Sequence, residues 1–513
     1  MTASYMVVDE EPIILLFVRD RDRNRRLMKV RGFRPYFYVK TEDVKYLYSG
    51  GRILRFEDGD YWSVHGEKLT KVVCRIPQDV KVLREFLHKR GVLTYESDIK
   101  FVLRFLIDKD IYCGVDEHLR PVEIDVPARV LMFDIENATE KRPSLEDEIL
   151  CIGFYDSYTD EIVILIQECG ELPAFNRLTD KKLRIEVVED ERELLERFID
   201  EVATRKPDII AGYNIVGYDL PNLVARCRKL KVDYRRLSPL RAVKKRDETW
   251  RILGVEVFDF FPAILELYAR EFRRYSLDEM VRELLGIEEK VEIGNFKRMW
   301  SIRPELVIQR NIYHVEKMVL LEEKIGIIEF YENIRKLVGA RLQDIYPHRK
   351  ASFCEMLILR KTRDLVKLRA KLEYEESTYT GAIVLEPKVG LWRNVAVIDF
   401  SALYPSIMRA YNISFETYNP KGRLRIDEEN AFVDSPRGII PQLLDRLIEL
   451  RAEYKKKRKE ARDPIEYMKW DAKQKAVKYI TNSLYGYFGF PASRLYSPKI
   501  AECITSAGLS IFF

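Results

Sequence analysis

A run of about 200 residues, in which apolar strand-like segments alternate with helical segments, constrains the fold more than any other feature of this sequence. Strands are predicted at four segments, Arg129–Phe133, Ile149–Tyr155, Glu161–Ile166 and Asp208–Ala211. A helix is predicted after Glu189 and Asp190, because apolar residues then recur at helical spacing, at Leu194, Leu195, Phe198, Ile199 and Val202. This alternation predicts an α/β domain.

The flanking segments predict further domains. Residues 1–125 carry alternating apolar patterns with one helical stretch near Asp79–Lys89, which indicates a mixed α/β domain. Residues 304–368 are predicted to be nearly all helical, and a strand is predicted at Val395–Ile398. Two long helices are then predicted, Ile439–Ala461 and one that runs from the turn at 463–464 to about residue 483, as an antiparallel hairpin. The predicted fold class is α/β multidomain.

Composition narrows the class of protein. A chain of 513 residues predicts roughly three to five domains, which excludes a single small binding module. Lys and Arg total 88 against 83 Asp and Glu, and the resulting charge of +5 identifies no partner. With 47% hydrophobic and 33% charged residues, the chain is predicted to be globular and soluble, and the few Cys and Met weakly favour a thermophilic source.

The lack of long apolar segments and of closely spaced Cys and His residues leads to predictions about cellular location and metal ligands. Its apolar stretches are far shorter than the roughly 20 residues that span a bilayer, and its acidic N-terminus does not resemble a signal peptide, so we expect a cytoplasmic protein without membrane contact. Seven scattered cysteines form no CxxC pair, and no histidine lies two to four residues from another His or a Cys. We therefore expect any metal to be held by carboxylates.

One candidate site combines a strand end with the helical hairpin. Asp399 follows the predicted strand, where ligand-binding groups are often displayed, although an Asp that caps the next helix is an equally good interpretation. Lys478, Asn482 and Tyr485 lie near one face of the second helix. Arg451 and Lys455 share a face of the first helix, and for such charge runs a solvated surface remains the simpler alternative.

A second candidate site consists of carboxylates. Asp134 and Glu136 are two residues apart on a predicted strand, so both side chains point to the same face, where paired acids indicate a bound cation. Asp219 is a third acid, on a loop that leads into a helix. Ordinary surface acids are the alternative interpretation, and it applies better to Asp219 than to the pair.

Together these segments resemble the archaeal family B DNA polymerases. Residues 399–407 (DFSALYPSI) look like motif A of that family, and residues 478–486 (KYITNSLYG) match the KxxxNSxYG pattern of its fingers. Residues 379–382 (YTGA) resemble the YxGG element with Ala382 departing, and residues 386–387 and 390–394 extend the match. The resemblance implies an RNase H-like 3′→5′ exonuclease domain and a partial palm with helical-hairpin fingers.

The resemblance also implies roles for the residues of the first site. Asp399 would bind Mg²⁺ in a two-metal site, and Tyr404 would be the steric gate that selects deoxynucleotides. Tyr485 would pack at the nascent base pair. The remaining residues would bind the incoming triphosphate: Arg451, Lys455, Lys478 and Asn482.

For the second site the resemblance implies a proofreading nuclease in which Asp134, Glu136 and Asp219 bind Mg²⁺. The family's fourth acid lies in a Tyr-x-x-x-Asp pattern, and the best match here is Tyr313 followed by Lys317. Glu316 is rotated by about 100° on a helix and is not expected to substitute. A lysine there predicts weakened or lost proofreading; a misaligned helix is the alternative.

In the N-terminal region, residues 33–38 (FRPYFY), 77–80 and 95–109 resemble the archaeal template-binding domain, which stalls on uracil. Pro35, Tyr36 and Val92 match the positions of its pocket. Core packing is the commoner role for such apolar residues, and base stacking is the mechanism if the match holds.

The sequence contains no Asp-Thr-Asp, so the family's YxDTD hairpin and its second catalytic Asp are missing from residues 1–513. We expect a split gene, with a smaller subunit that brings this motif and the thumb, or else a truncated chain. Expected partners are primer-template DNA, deoxynucleotides and a possible sliding clamp. A non-catalytic DNA-binding scaffold and a stand-alone exonuclease are the alternative functions.

The resemblance predicts five regions. They are a template-binding domain (1–125), an exonuclease-like domain (126–345), a partial palm (346–435), a fingers hairpin (436–490) and the start of a return into the palm (491–513).

Overall fold

The computed structural model describes residues 2–511, apart from 48–49, 124–125, 247–248, 348, 373–380, 382–385, 398 and 401. The described part of the first region contains these strands and α-helices: β1 (Thr2–Val8), β2 (Glu11–Arg19), β3 (Arg25–Val30), β4 (Tyr36–Lys40), β5 (Ile53–Glu57), β6 (Leu69–Cys74), α1 (Pro77–His88), β7 (Thr94–Tyr95), α2 (Phe101–Asp108), β8 (Gly114–Val115) and β9 (Pro121–Val122). They form sheets in the orders β1-β2-β3 and β5-β6-β4-β7, with β8 paired to β9. The helix predicted near Asp79–Lys89 is therefore present as α1.

The second region is built on a six-stranded sheet. Its elements are β10 (Val130–Asn137), β11 (Ile149–Asp156), β12 (Glu161–Gln167), β13 (Lys182–Val188), α3 (Glu191–Arg205), β14 (Ile209–Gly212), α4 (Asp219–Lys229), β15 (Val243–Arg246), β16 (Thr249–Ile252), β17 (Glu256–Asp259), α5 (Phe260–Leu267) and α6 (Leu277–Leu285). The strand order is β13-β12-β11-β10-β14-β17, and β15 pairs separately with β16. The four strands and the helix predicted from the sequence are all present, with Asp190 capping α3.

A helical layer covers one face of this sheet. It contains α7 (Phe296–Ile302), α8 (Pro304–Ile325), α9 (Ile327–Val338), α10 (Leu342–Ile345) and α11 (Lys350–Thr362). Since side chains alternate along a strand, Met132 of β10 joins the core beneath α8, whereas Leu131 and Phe133 join the core on the opposite face, with α3 and α4. Asp134 and Glu136 share the parity of Met132, so they face α8.

The last region contains α12 (Leu403–Ala410), β18 (Leu424–Arg425), β19 (Ala431–Phe432), α13 (Ile439–Glu460), α14 (Pro464–Gly489) and α15 (Pro498–Leu509). The predicted antiparallel hairpin is present as α13 and α14, and Asp463 caps the second helix through the N–H of Glu466. The second helix runs six residues further than the position near 483 that we expected. Tyr487 and Phe488 are buried there, so tertiary packing carries the helix onward.

The strand predicted at Val395–Ile398 is not formed over residues 395–397, and Ile398 lies outside the described residues. Val395 and Val397 are 66% and 89% exposed. A short apolar run becomes a buried strand only where neighbouring strands supply hydrogen bonds and cover, and no strand in the described part of the chain pairs with it. Residues 379–380 and Ala382 of the YTGA segment also lie outside the description.

The mixed α/β, multidomain fold class is confirmed. Within the described ranges, no helix is long and apolar enough to cross a membrane.

Candidate functional site

Two carboxylates and one imidazole meet between β10 and α8. Asp134, Glu136 and His314 bring ligand atoms within 4.8 Å of one another, and we call these three residues the Asp134 cluster. His314 Nδ1 lies 3.3 Å from Asp134 Oδ2 and 3.6 Å from Glu136 Oε1. The sequence analysis predicted the carboxylate pair, and the structure adds the histidine.

A glycine allows α8 to approach the sheet this closely. Gly153 of β11 stands opposite Asp134 in the strand register. A Cβ at Gly153 would lie only 2.3 Å from Asn311 Oδ1 and 3.0 Å from Val315 Cγ2, so a larger residue would push against side chains of α8. Asn311 instead donates from Nδ2 to Asp134 Oδ2 at 2.9 Å and to the Asp134 carbonyl at 3.1 Å. This contact fixes the orientation of the Asp134 carboxylate.

Asp219 lies beside the cluster, although it is not one of its three members. Its Oδ1 accepts the backbone N–H of Ile135, the residue between the two cluster acids, at 3.1 Å. Asp259 holds the loop that precedes Asp219, because it accepts from the N–H groups of Asn214 at 2.7 Å and Val216 at 3.1 Å. The structure therefore brings all three predicted acids to one end of β10.

Burial changes the acidity of these groups. Burial, followed by the charge of Asp134, raises the pKa of Glu136 to about 7 and raises the pKa of Asp219 well above its usual value. Burial also raises the pKa of Asp259 to about 6. Such shifts mark a site where negative charge is stabilised poorly unless a cation is nearby.

Two cations of α8 lie against acids of neighbouring elements. Arg310 Nε lies 3.1 Å from Glu136 Oε1, and Arg310 Nη1 donates to the carbonyl of Val291 at 2.8 Å. Lys317 is 1% exposed, and its Nζ lies 2.5 Å from Asp278 Oδ1 of α6. Burial would raise the pKa of Asp278, but the ammonium of Lys317 holds it below its usual value.

The other predicted residues of α8 point elsewhere. Glu316 is fully buried and pairs with Arg177 at 2.6 Å, while it also accepts from the N–H of Leu178 at 2.8 Å. Glu316 is thus committed to another contact, as its rotation on the helix predicted. Tyr313 is also buried, and its ring lies 5.8 Å from Lys317 Nζ.

The donor set can be compared with the two Mg²⁺ ions that the resemblance implies. Two carboxylates and an imidazole suit one cation. Lys317 holds the position that the resemblance gives to the fourth acid, and its ammonium pairs with Asp278, so this position supplies no ligand for a second ion. The guanidinium of Arg310 adds a further positive charge at Glu136.

On the helical hairpin, three cations lie close together without counterions. Arg451, Lys455 and Lys478, which we call the cation trio, have no ion-pair partner among the described residues, and Lys455 and Lys478 are exposed. The charge of Arg451, then burial, then the charges of Arg458 and Lys478 lower the pKa of Lys455. Several other hairpin cations are paired, as Arg458 is with Asp471 and Lys457 with Glu453.

The two tyrosines that were predicted to contact the sugar and the base lie next to each other. The rings of Tyr404 on α12 and Tyr485 on α14 have centroids 4.4 Å apart. Lys478, Asn482 and Tyr485 line a cleft of about 990 Å³ between α14 and α5. Helix α14 is anchored beside this cleft, because the hydroxyl of Tyr479 donates to Glu266 of α5.

Asp399 has surroundings that differ from those predicted for it. It is exposed, in an irregular segment rather than at the end of a buried strand. The part of the chain that the structure describes places no cluster of three potential metal ligands around it. Among the described residues Asp399 therefore offers one carboxylate, and a pair of metal ions would need further ligands.

The three N-terminal pocket residues do not share one cavity wall. Pro35 and Tyr36 line a cleft of about 880 Å³, and the hydroxyl of Tyr36 donates to Asp108 at 2.7 Å. Val92 packs in a separate apolar core with Phe37 and Val39. The alternative of core packing therefore describes Val92 well.

Sequence reasoning missed four residues of the nuclease-like site: Asp278, Arg310, Asn311 and His314. A signal was present, since Arg310, His314 and Lys317 recur at helical spacing of three to four on the predicted helix. Asp278 carried no such signal, because only the tertiary packing of α6 on α8 brings it to Lys317.

Two family profiles match the chain. The profile described as DNA polymerase family B matches residues 346–512, and the one described as DNA polymerase family B, exonuclease domain, matches residues 92–280. The second match ends before α8, so it includes Asp134, Glu136 and Asp219 but not His314 or Lys317.

Similar proteins cover almost the whole chain. A DNA polymerase from Pyrococcus glycovorans is 29% identical over 99% of this chain and 67% of its own length, and one from Thermococcus gorgonarius is 28% identical over the same shares. The chain thus spans about two thirds of these relatives. The solved family B DNA polymerase of Pyrobaculum calidifontis is 28% identical, with a TM-score of 0.83 over 100% of this chain and 71% of that one.

Proposed function

Because the chain belongs to the family B DNA polymerases, we propose that it carries the nucleotide-binding part of a template-dependent DNA polymerase. The cation trio is the observation that carries this proposal. Three cations without counterions, one of them with a pKa lowered by the others, favour a ligand with several negative charges. A nucleoside triphosphate has that charge.

We assign the trio and Asn482 to the triphosphate, where they would neutralise charge that develops during phosphoryl transfer. Tyr404 would contact the sugar and exclude a ribose 2′-hydroxyl, and Tyr485 would support the new base pair. The 4.4 Å contact between the two rings supports adjacent roles. Asp399 would contribute one carboxylate to bound Mg²⁺, which acts as a Lewis acid on the reacting phosphate.

Synthesis needs more carboxylates than this region offers, since residues 1–513 contain no Asp-Thr-Asp. We propose that the second aspartate comes either from a continuation of the chain or from a smaller second polypeptide. A sliding-clamp contact, template contacts near Pro35 and Tyr36 and a cytoplasmic location belong to the same proposal. The five-region division made from the sequence is part of the same proposal.

Primer extension tests the polymerase proposal. Residues 1–513 are assayed with Mg²⁺, primer-template and deoxynucleotides, with and without the longer reading or candidate second polypeptide. Extension only in the presence of the added part, and its loss in Asp399→Ala, supports the proposal. DNA binding without extension under either condition would favour the scaffold alternative.

We also propose that excision of mismatched 3′ ends is weak, because Lys317 supplies no fourth carboxylate and Arg310 adds a positive charge at Glu136. Asp134, Glu136 and Asp219 would provide the carboxylates, and Tyr313 would keep the position that the family pattern gives it. Nucleotide release from a mismatched primer is measured beside Asp134→Ala. Vigorous release that depends on Asp134 would contradict weak excision and favour the stand-alone nuclease.

A further inference from the structure

We propose that the Asp134 cluster is a single-ion site for a transition-metal cation of the Mn²⁺ or Zn²⁺ type, with His314 as a direct ligand. This inference goes beyond the proposed polymerase function and does not depend on DNA synthesis. It also replaces our expectation from the sequence that carboxylates alone hold metal in this protein.

The spacing of the three ligand atoms fits one coordination sphere. Metal–nitrogen and metal–oxygen bonds of about 2.0–2.2 Å place neighbouring ligand atoms roughly 3.0–3.5 Å apart. The distances from His314 Nδ1 to Asp134 Oδ2 and to Glu136 Oε1 are 3.3 and 3.6 Å. An ion between these atoms would need only small shifts of the side chains.

One ligand atom lacks the partner that a metal would provide. Glu136 Oε1 is buried and has no hydrogen-bond partner among the described residues, and its side chain is 7% exposed. Arg310 Nε is near it at 3.1 Å but is itself without a hydrogen bond, so the two groups are not aligned. A cation beside Glu136 Oε1 would satisfy this oxygen in the way that buried oxygens normally require.

The donor types select the metal. Mg²⁺ prefers oxygen ligands, whereas imidazole suits Zn²⁺ and other later metals, and Mn²⁺ accepts both kinds of donor. Asn311 Nδ2 donates at 2.9 Å to Asp134 Oδ2, the oxygen that faces His314, and so fixes its orientation. Such supporting contacts orient ligands in metal sites and strengthen binding.

Positive charges of the protein oppose the binding of a second metal ion. Lys317 Nζ, buried and paired with Asp278, and the guanidinium of Arg310 place two fixed positive charges on the same face of α8 as His314. A second divalent ion would be repelled by both. The site is therefore expected to bind one ion where the family pattern implies two.

Electron paramagnetic resonance of added Mn²⁺ tests the proposal on the full chain of 513 residues. We expect one bound Mn²⁺ with hyperfine coupling to a nitrogen nucleus, which no carboxylate site can give. His314→Gln keeps a side chain able to reach Asp134, but it should lose this coupling. It should also weaken binding of that ion about tenfold or more, since loss of even a supporting contact costs about that much affinity.

Two variants serve as controls. His118→Ala removes an exposed histidine far from the cluster in sequence, and Asp399→Ala removes the carboxylate of the other candidate site. Both should keep the nitrogen-coupled ion. Added Zn²⁺ should displace Mn²⁺ at concentrations at which Mg²⁺ does not.

The proposal is overturned by bound Mn²⁺ without nitrogen coupling, by coupling that persists in His314→Gln, by two ions at the cluster, or by no binding. Unchanged circular dichroism and thermal unfolding of His314→Gln would show that a lost signal does not come from misfolding. Since none of these measurements uses primer extension, failure of the polymerase proposal would leave their outcome unaffected.

Discussion

The cations around the Asp134 cluster lie against acids of the protein, whereas the cation trio has no ion-pair partner among the described residues. Lys317 is 1% exposed and locked to Asp278 at 2.5 Å, and Arg310 lies against Glu136. Lys455 and Lys478 are exposed and have no ion-pair partner in the described ranges. A buried cation is stable only with a partner, whereas an exposed cation is solvated by water and remains available to bind a ligand.

The two regions also differ in the secondary structure that carries their acids and cations. Asp134 and Glu136 are fixed by a central strand with neighbours on both sides and by a helix above. Asp399 lies exposed in an irregular segment, while the helices that carry the cations are long and well packed. In the nuclease-like region the acids lie on a sheet with cations beside them, whereas in the hairpin region the cations lie on helices and the acid lies in an irregular segment.

The substitution Lys317→Asp should produce the largest change, because it converts a repelling charge into a ligand. We expect the number of bound Mn²⁺ ions at the cluster to rise from one to two. Excision of a mismatched 3′ nucleotide should increase about a hundredfold or more, since a correctly placed cation contributes several kcal/mol to such reactions. Metal stoichiometry and nucleotide release are the measurements.

Lys324→Asp is the matched control, because it makes the same change of charge at an exposed position of the same helix. It should alter neither quantity. If Lys317→Asp binds no additional ion, then Lys317 is not what limits the site, and the contrast between the two regions loses its main support.

Breaking the buried pair should lower stability more than breaking an exposed one. Asp278→Ala leaves the ammonium of Lys317 buried without a counterion, and we expect the free energy of unfolding to fall by about 3 kcal/mol. This lies at the low end for buried pairs because the Asp278 side chain is 32% exposed. Chemical denaturation measures the change.

The comparison variant is Glu453→Ala, which breaks the pair with Lys457 on the hairpin. Both of its side chains are more than 40% exposed, so the cost should be about 0.5 kcal/mol or less. Equal losses in Asp278→Ala and Glu453→Ala would mean that burial does not separate the two regions.

Removing a cation that lacks a counterion should weaken nucleotide binding more than removing a paired one. Lys478→Ala should reduce the affinity for a deoxynucleoside triphosphate by roughly tenfold or more, because a hydrogen bond to a charged group contributes about 1.5–3 kcal/mol. Lys475, one turn away on α14, lies 2.8 Å from Asp471. Lys475→Ala should therefore have little effect, and a fluorescent nucleotide measures both.

Much of this contrast could be predicted from the sequence, because it depends on local patterns. The strand period placed Asp134 and Glu136 on one face, and the helical period grouped Lys478, Asn482 and Tyr485. His314 was missed although its spacing from Arg310 and Lys317 was visible, since a metal site was expected only from carboxylates or paired His and Cys.

Features that depend on distant packing could not be predicted. The pair of Lys317 with Asp278 joins residues 39 positions apart, and the close approach of Asn311 requires Gly153 on another element. The strand predicted at Val395–Ile398 was wrong over its described residues for a related reason. A strand needs neighbours, and an apolar pattern does not say whether they are present.

The smallest expected effect concerns protons at the cation trio. Repulsion from Arg451 lowers the pKa of Lys455 in the free protein, and a bound triphosphate would raise it again. Between these two pKa values, binding must therefore take up a proton, and the affinity must fall as the pH rises. At pH values below both, Lys455 is charged in either state and no uptake occurs.

Calorimetric titration with a nucleotide in two buffers of different ionisation enthalpy measures this uptake at alkaline pH. We expect a fraction of one proton for the protein with Lys455 and none for Lys455→Met, which keeps the length of the side chain. Uptake that is unchanged in Lys455→Met would assign the proton to another group. The trio would then not consist of mutually repelling cations, and this difference from the paired cations Arg310 and Lys317 would be lost.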